Sequence, residues 1–285
     1  MSDMIKKISV LGAGIMGSGI AQVAAQAGFQ VVMRDLEDRF LQQGLKSIKD
    51  SLGIMKEKGK LSSEEVSKIL GRIKSTVDFK EAASDSDLVI EAIPENLDLK
   101  KQIFHELDET CPEHTILATN TSSLSITAIA SATKRPDKVV GMHFANPVPV
   151  MPGIELIKGR DTSEETLEIA KEVINKMGKQ FFVAADFPGF LGNRLLMLFI
   201  NEAFNLVWQG IGSPEDIDKG CKLSFRHPMG PLELADLIGL DTVLAILDYL
   251  HKEISERYRP SPLLRQMVAA GHYGRKTGRG VYGYS

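Results

Sequence analysis

The residue pair in this sequence with the clearest chemical potential is His143 and Glu155. His143 ends the apolar run Val139–His143, which predicts a strand, and a turn with a proline follows it. The next run, Gly153–Lys158, predicts a strand that returns alongside the first and brings Glu155 within reach of the imidazole. A carboxylate beside an imidazole fixes its tautomer and raises its basicity, as a general base near neutral pH requires.

A histidine at the end of a strand, taken alone, is more often a structural hydrogen-bonding residue. The pairing of His143 with an acid, in a chain that also carries a glycine loop, reverses that preference. The glycine loop is Gly12–Gly17, which reads G-x-G-x-x-G. The loop lies between a predicted strand, Lys6–Leu11, and a predicted helix, Met16–Gln26, that Gly28 ends. In this context the pattern predicts a dinucleotide site.

Each part of the loop has its own expected role. Gly12 permits a tight turn, Gly14 lets the backbone approach a pyrophosphate, and Gly17 lets helix and strand pack closely. The helix start, with Ile15 and Met16, offers free N–H groups and partial positive charge to the phosphates.

Asp35 follows the second predicted strand, Gln30–Arg34, and supplies the acid of the dinucleotide pattern. A carboxylate there accepts hydrogen bonds from the adenosine ribose and repels a 2′-phosphate, which favours NAD over NADP. The neighbouring Arg34 leaves NADP open, because an arginine can accommodate that phosphate.

The order of predicted elements indicates two domains. Short apolar strands alternate with helices up to about residue 187, with further strands at Asp87–Ile93 and Thr115–Thr119, and the strand pattern then stops. We therefore predict an α/β, Rossmann-type doubly wound domain over residues 1–187 and a smaller all-helical domain over 188–285. The helices predicted in the second domain are Asn193–Gln209, Pro214–Leu223, Pro231–Gly239 and Thr242–Arg257.

Residues 37–71 predict a helical hairpin that is longer than a standard crossover, with Ser62 or Ser63 as the cap of its second helix. The hairpin is either an insertion without a role or a surface arm that presents basic residues to a long ligand.

The composition limits the function classes. A net charge of −3 over 285 residues gives no broad reason to expect nucleic acid as a partner. Apolar stretches are interrupted by charges too soon to span a bilayer, and the N-terminus has no signal-peptide core. Two cysteines, Cys111 and Cys221, stand far apart, so neither a disulfide framework nor a metal site is expected and a cytoplasmic location fits.

Several motifs together resemble the L-3-hydroxyacyl-CoA dehydrogenase family, in its stand-alone form, over nearly the whole chain. Ala145 and the Pro152-Gly153 pair depart from the family pattern without removing a catalytic group. The motifs that carry the resemblance are Gly12–Gly17, Glu91–Asn96, Asn120–Ser123, His143–Pro147, Pro188–Arg194, His227–Pro231 and Gly278–Tyr284.

The resemblance implies oxidation of a 3-hydroxyacyl-CoA, such as 3-hydroxybutyryl-CoA, with NAD as cofactor. His143 would be the general base and Glu155 would orient it. Ser122 would hydrogen-bond the substrate oxygen, and Asn193 would fix the substrate against the nicotinamide. The resemblance also implies a homodimer formed through the helical domain. Further implied contacts are Glu95, Lys100, Asn120 and Ser122 with the cofactor, and Asn146 and Lys56 with the acyl-CoA.

Alternatives remain at this point. Ser122 could cap a helix, and Asn193 could be the N-cap of the helix that follows it. A dehydrogenase of a free hydroxy acid or sugar acid would share the glycine loop, although the lysine-rich hairpin argues against it. A catalytically silent NAD-binding regulatory or structural protein would also share it, although Ser122, His143, Glu155 and Asn193 together argue against that class.

Overall fold

A computed structural model describes residues 5–284 of the chain. The chain divides after Phe187 into two compact units, each with its own apolar core. None of the helices in the described part of the chain is long and apolar enough to cross a membrane.

The first unit is built on one sheet, which has eight strands within residues 5–284. The strand order is β3-β2-β1-β4-β5-β6-β7-β8, so the order reverses beside β1 as in doubly wound folds. All pairs are parallel except β6 with β7, which run antiparallel. The strands are β1 (Lys7–Leu11), β2 (Gln30–Arg34), β3 (Ile73–Thr76), β4 (Leu88–Glu91), β5 (Ile116–Thr119), β6 (Val139–Phe144), β7 (Gly153–Lys158) and β8 (Gln180–Ala185).

The two edge strands, β3 and β8, are absent from the sequence prediction. The sequence of β3 contains a single aliphatic residue, Ile73, so it lacks the apolar pattern that predicts a strand. β8 reads Gln-Phe-Phe-Val-Ala-Ala after Gly178, which is a recognisable strand signal that the prediction missed. Phe182 and Val183 stay exposed, because β8 has a neighbour on only one side.

Helices cover the sheet of the first unit. The predicted helix near the N-terminus is confirmed: it begins at Ile15, and Gly28 follows its end with a φ of +95°, a value that favours glycine. Its alanines Ala21, Ala24 and Ala25 are fully buried, which lets it lie close to the sheet. The helices are α1 (Ile15–Gln26), α2 (Asp38–Glu57), α3 (Ser63–Gly71), α4 (Phe79–Ala83), α5 (Leu97–Thr110), α6 (Ile126–Ala130) and α7 (Glu164–Lys176).

The predicted hairpin of residues 37–71 is formed by α2 and α3. Ser62 caps α3 in a capping box with Glu65, as predicted for Ser62 or Ser63. Leu41, Ile48 and Leu52 of α2 are buried in the core of the first unit. The hairpin is therefore anchored in the core along α2, while its tip carries exposed lysines.

The second unit is helical, and residues 188–284 contain no strand, only two isolated β-bridges near the C-terminus. The four predicted helices are present, with two starts as predicted and the other bounds shifted by one to four residues, and the prediction missed α12. Their bounds are α8 (Gly192–Trp208), α9 (Pro214–Phe225), α10 (Pro231–Ile238), α11 (Leu240–Glu253) and α12 (Pro262–Ala269).

Two buried aspartates fix the C-terminal tail in the second unit. Asp236 accepts hydrogen bonds from the backbone N–H groups of Val281 and Tyr282 at 2.9 Å. Asp218 accepts from the Tyr282 hydroxyl at 2.8 Å; burial of that phenol, and then this hydrogen bond, raise its pKa above the usual range. The tail is thus held by hydrogen bonds to side chains in place of a strand ladder.

Candidate active site

The glycine loop has the geometry that its sequence predicts. Gly12 adopts a φ of +104°, and a Cβ there would lie 2.5 Å from the Ala92 carbonyl oxygen. A Cβ on Gly17 would lie 1.9 Å from the Gly12 carbonyl oxygen, so only glycine allows this contact. A Cβ on Gly14, by contrast, would meet no atom of residues 5–284 within 4 Å beyond its chain neighbours. Space for a ligand therefore lies beside Gly14, where α1 presents its N-terminus.

Asp35 lies against this loop. Its Oδ2 accepts a hydrogen bond from the Ala13 N–H at 2.7 Å, and its Oδ1 accepts from the Leu36 N–H at 2.7 Å. The side chain is half-buried, so the carboxylate is fixed and still partly accessible. This is the arrangement in which a carboxylate can bind a ribose at the end of the second strand.

Arg34 is directed toward the segment after β3. Its Nε donates to the Val77 carbonyl at 3.4 Å, and its guanidinium lies 5.4 Å from the centre of the Phe79 ring. Both interactions hold the guanidinium on the β3 side of β2, away from β1 and the glycine loop that follows it.

His143 and Glu155 form the pair that the strand pattern predicts. They are directly opposite each other in the antiparallel register of β6 and β7, and Nδ1 of His143 lies 3.2 Å from Oε2 of Glu155. Glu155 is only 3% exposed, whereas the His143 side chain is 23% exposed. A carboxylate that faces Nδ1 favours the tautomer in which Nδ1 carries the proton and Nε2 is an acceptor.

The turn after β5 is organised around Glu95. Its Oε1 accepts hydrogen bonds from the Thr121 hydroxyl at 2.6 Å, from the Ser122 N–H at 3.0 Å and from the Ser123 N–H at 3.2 Å. The Ser122 hydroxyl also donates to this oxygen, at 3.3 Å. Burial acts to raise the pKa of Glu95, but the Thr121 hydrogen bond and the charge of Lys100 outweigh it, and the pKa is lowered.

Lys100 lies beneath Glu95. Its side chain is 1% exposed, with Nζ 2.5 Å from Oε1 of Glu91 and 3.4 Å from Oε2 of Glu95. Thr119 donates to the other oxygen of Glu91 at 2.7 Å. In this structure the Lys100 ammonium group pairs with the two glutamates, and its contact with a cofactor stays a prediction.

Asn120 follows β5, and Asn146 follows β6, the strand of His143. Oδ1 of Asn120 accepts a hydrogen bond from the Phe144 N–H at 2.9 Å, which ties the end of β5 to the residue after His143. Asn146 is exposed in the loop between β6 and β7. The Asn120 side chain therefore joins the end of β5 to the end of β6.

Lys179 is a residue of this region that the sequence reasoning missed. It is 9% exposed, and its Nζ donates to the carbonyls of Val148 and Met151, each at 2.7 Å. Burial lowers the pKa of its ammonium group. It braces the loop that joins the strands of His143 and Glu155. In the sequence, the only indication of this role is that a lysine lies between Gly178 and the first residue of β8.

Two capping alternatives from the sequence are wrong. The helix after the Ser122 turn is capped by Ser125, whose Oγ accepts from the Ala128 N–H at 3.1 Å. The helix around Asn193 begins at Gly192 with Leu191 as its N-cap, so Asn193 is its second residue. Neither Ser122 nor Asn193 is therefore needed as a cap.

The remaining predicted residue, Lys56, is exposed in the last turn of α2, and the exposed Lys58 and Lys60 follow it at the hairpin tip. Cys111 and Cys221 are both buried free thiols. In residues 5–284 no three His, Cys, Asp or Glu side chains are grouped as ligands for a metal ion.

The sheet order, the glycine loop and the acid after β2 define a dinucleotide-binding α/β protein, to which a helical unit is joined. The family model of the 3-hydroxyacyl-CoA dehydrogenase NAD binding domain matches residues 7–187, and that of the C-terminal domain matches residues 189–284. The chain belongs to the 3-hydroxyacyl-CoA dehydrogenase family.

Relatives match over the full length. The chain is 52% identical to the probable 3-hydroxybutyryl-CoA dehydrogenase of Bacillus subtilis, with 98% of both chains covered. It is 44% identical to the mitochondrial hydroxyacyl-coenzyme A dehydrogenase of Homo sapiens, with 99% of this chain and 92% of the human protein covered. The crystal structure of (S)-3-hydroxybutyryl-CoA dehydrogenase from Ralstonia eutropha matches with a TM-score of 0.95 and 46% identity over 99% of both chains.

Proposed function

We propose that this chain catalyses the NAD-dependent oxidation of (S)-3-hydroxyacyl-CoA, with 3-hydroxybutyryl-CoA as the substrate, and the reverse reduction of acetoacetyl-CoA. The observation that carries the proposal is the His143–Glu155 pair. It lies on strands of the same sheet whose first strand leads into the dinucleotide-binding loop. The names of the relatives from Bacillus subtilis and Ralstonia eutropha support the choice of substrate.

In this proposal His143 is the general base. Glu155 holds the proton of Nδ1 and stabilises the imidazolium, and Nε2 takes the proton of the substrate's 3-hydroxyl group. In the reverse direction Nε2 returns that proton to the keto oxygen. Because Glu155 is buried and His143 is not, the base can reach a ligand while its partner stays shielded from water.

Ser122 and Asn193 are the groups proposed to position the substrate. The Ser122 hydroxyl bonds Glu95 at 3.3 Å, the longest of the hydrogen bonds that this carboxylate oxygen accepts, so it is the easiest to exchange for a substrate oxygen. Asn193 would add an amide to orient the substrate. Asn146 at the substrate and Lys56 at the CoA moiety complete the proposed contacts.

The residues present fit NAD. The glycine loop leaves open space beside Gly14, and its backbone with Ile15 and Met16 would hold the pyrophosphate. Asp35 would bind the adenosine ribose, and Glu95 and Asn120 lie at the ends of β4 and β5, toward the nicotinamide half. NAD, when bound, supplies the acceptor for the hydride. The engagement of Arg34 with Val77 and Phe79 further favours NAD over NADP.

The substrate proposal is tested by following NADH consumption with acetoacetyl-CoA, and in parallel by offering NAD with free 3-hydroxybutyrate. We expect turnover of the CoA thioester and no measurable turnover of the free acid. Turnover of the free acid alone would favour the free hydroxy acid dehydrogenase. Binding of NADH with no turnover of any substrate would favour a silent NAD-binding protein.

The cofactor preference is tested by the substitution Asp35→Ala. Loss of the carboxylate removes its repulsion of a 2′-phosphate, so the ratio of kcat/KM with NADH to that with NADPH should fall by about tenfold or more, or about 1.4 kcal/mol. Asp38→Ala is the matched control, because Asp38 is an exposed acid in the first turn of α2. An unchanged ratio in Asp35→Ala would exclude the ribose contact.

Two further properties belong to the same proposal. We expect the protein to act in the cytoplasm, and we expect it to be a homodimer formed through the helical unit of residues 188–285. Exposed apolar side chains of that unit, including Leu195, Trp208 and Phe225, are candidates for the interface. The molar mass in solution would be measured by light scattering.

A further inference from the structure

Three charged side chains are grouped where β4 ends, and two of them cannot touch solvent. Glu91 is 0% exposed and Lys100 is 1% exposed, with 2.5 Å between the carboxylate and the ammonium group. Glu95 is 37% exposed and lies 3.4 Å from the same ammonium group. One lysine thus serves two carboxylates, and the Glu91–Lys100–Glu95 cluster has a net charge of −1.

The position of this cluster in the sheet gives it a specific neighbour. In doubly wound folds a dinucleotide lies across the point where the strand order reverses, here between β1 and β4. Asp35, at the end of β2, marks the adenosine half. The cluster follows β4 on the opposite side of β1, which is the nicotinamide half.

We propose that the Glu91–Lys100–Glu95 cluster tunes the redox preference of the site by favouring the oxidised cofactor over the reduced one. The inference rests on the proposed function, because it requires that NAD binds at this edge. It assigns Glu91, which the sequence analysis did not single out as a site residue, a long-range electrostatic role.

The physical reason is the charge difference between the two cofactor forms. The nicotinamide ring is positively charged in NAD+ and neutral in NADH, so a fixed net negative charge nearby stabilises only the oxidised form. Within a protein such an interaction acts over several ångströms with little screening by salt. Tighter binding of NAD+ relative to NADH lowers the potential of the bound couple, so the bound NADH becomes a stronger reductant.

A substitution of Glu91 distinguishes the electrostatic effect of the cluster from a direct contact with the cofactor. The side chain is fully buried under Lys100, Thr119 and the Ile93 N–H, so it cannot touch a ligand. Glu91→Gln keeps the shape and leaves Lys100 paired with Glu95, and the cluster becomes neutral. The other charged groups of the site, His143 and Glu155, are unchanged.

The experiment measures the dissociation constants of NAD+ and NADH separately, by titration calorimetry and by NADH fluorescence, without substrate. In Glu91→Gln we expect the preference for NAD+ relative to NADH to fall by about three- to tenfold. This is the size of effect that the loss of one charge several ångströms from the nicotinamide ring implies. For a two-electron couple tenfold corresponds to about 30 mV. Thr119→Val is the matched control, because it removes a hydrogen bond of Glu91, and the one that the Thr119 hydroxyl accepts from the Thr121 N–H, without a change of charge.

The preference should be the same in Thr119→Val as in the unmodified protein. An unchanged preference in Glu91→Gln, or an equal change in both variants, would overturn the inference. If Glu91→Gln does not fold, Glu95→Gln decides, because it also neutralises the cluster and leaves the buried pair intact. A lost direct contact of Glu95 would weaken the binding of both cofactor forms, so only the charge effect would lower the preference for NAD+, and the same fall is expected. Failure of the unmodified protein to bind either cofactor form would instead refute the proposed function.

Discussion

Replacement of His143 by Gln should lower kcat by about two to four orders of magnitude, the usual contribution of a general base. The dissociation constant of NADH should change little, because His143 lies at the end of β6 beside Glu155 of β7, whereas the glycine loop follows β1. Glutamine keeps a polar side chain of similar reach but cannot accept the proton. Stopped-flow or steady-state reduction of acetoacetyl-CoA, with a parallel NADH titration, measures both quantities.

The same assay separates the base from its partner. Glu155→Gln keeps the hydrogen-bonding shape but removes the charge that stabilises the imidazolium, so kcat should fall by a smaller factor than in His143→Gln. His105→Gln is the control, because His105 is an exposed histidine of α5 that lies beside Glu109. A large loss of NADH affinity in His143→Gln with nearly normal turnover would contradict the assigned role.

Replacement of Gly17 by Ala should weaken both the fold and cofactor binding. The new Cβ would lie 1.9 Å from the Gly12 carbonyl oxygen, so α1 or the loop has to move. Overpacking of this kind costs about 1 to 3 kcal/mol of unfolding free energy, more than the helix propensity that alanine adds. We expect a lower melting temperature and a dissociation constant for NADH that is raised by about tenfold or more.

Gly14→Ala is the matched variant on the same loop. Its backbone φ of −68° is open to alanine, and the new Cβ would meet no other described atom within 4 Å. The melting temperature should therefore stay unchanged, whereas NADH binding should weaken because the methyl group occupies the space beside the loop. Equal losses of stability in the two variants, or normal NADH binding in Gly14→Ala, would refute the assignment of this space to the pyrophosphate.

The sequence by itself determined the local frame of the site. G-x-G-x-x-G between a strand and a helix is a contiguous signal, and so is the acid that follows the second strand. The His143–Glu155 pair was also predictable, because a strand that returns beside the strand before it pairs in antiparallel fashion and brings residues near the connecting loop side by side. These signals are local in the chain, so one sequence suffices to read them.

Only the tertiary structure showed which buried polar groups hold the glycine loop, the His143–Glu155 pair and their neighbours in place. Lys100 was predicted at the cofactor, and the structure adds what the sequence did not show, that its ammonium group is buried between Glu91 and Glu95. Lys179 holds carbonyls that lie 28 and 31 positions before it in the sequence, which no local pattern encodes.

Ser122 is another side chain whose partner the sequence did not predict. Its type left a helix cap open as an alternative to the ligand contact, and the cap is Ser125, three residues further on. The physical reason is common to these cases. Glycine turns and strand pairs are set by backbone conformation and nearby residues, whereas the partner of a buried charge is set by which distant segments the folded sheet brings together.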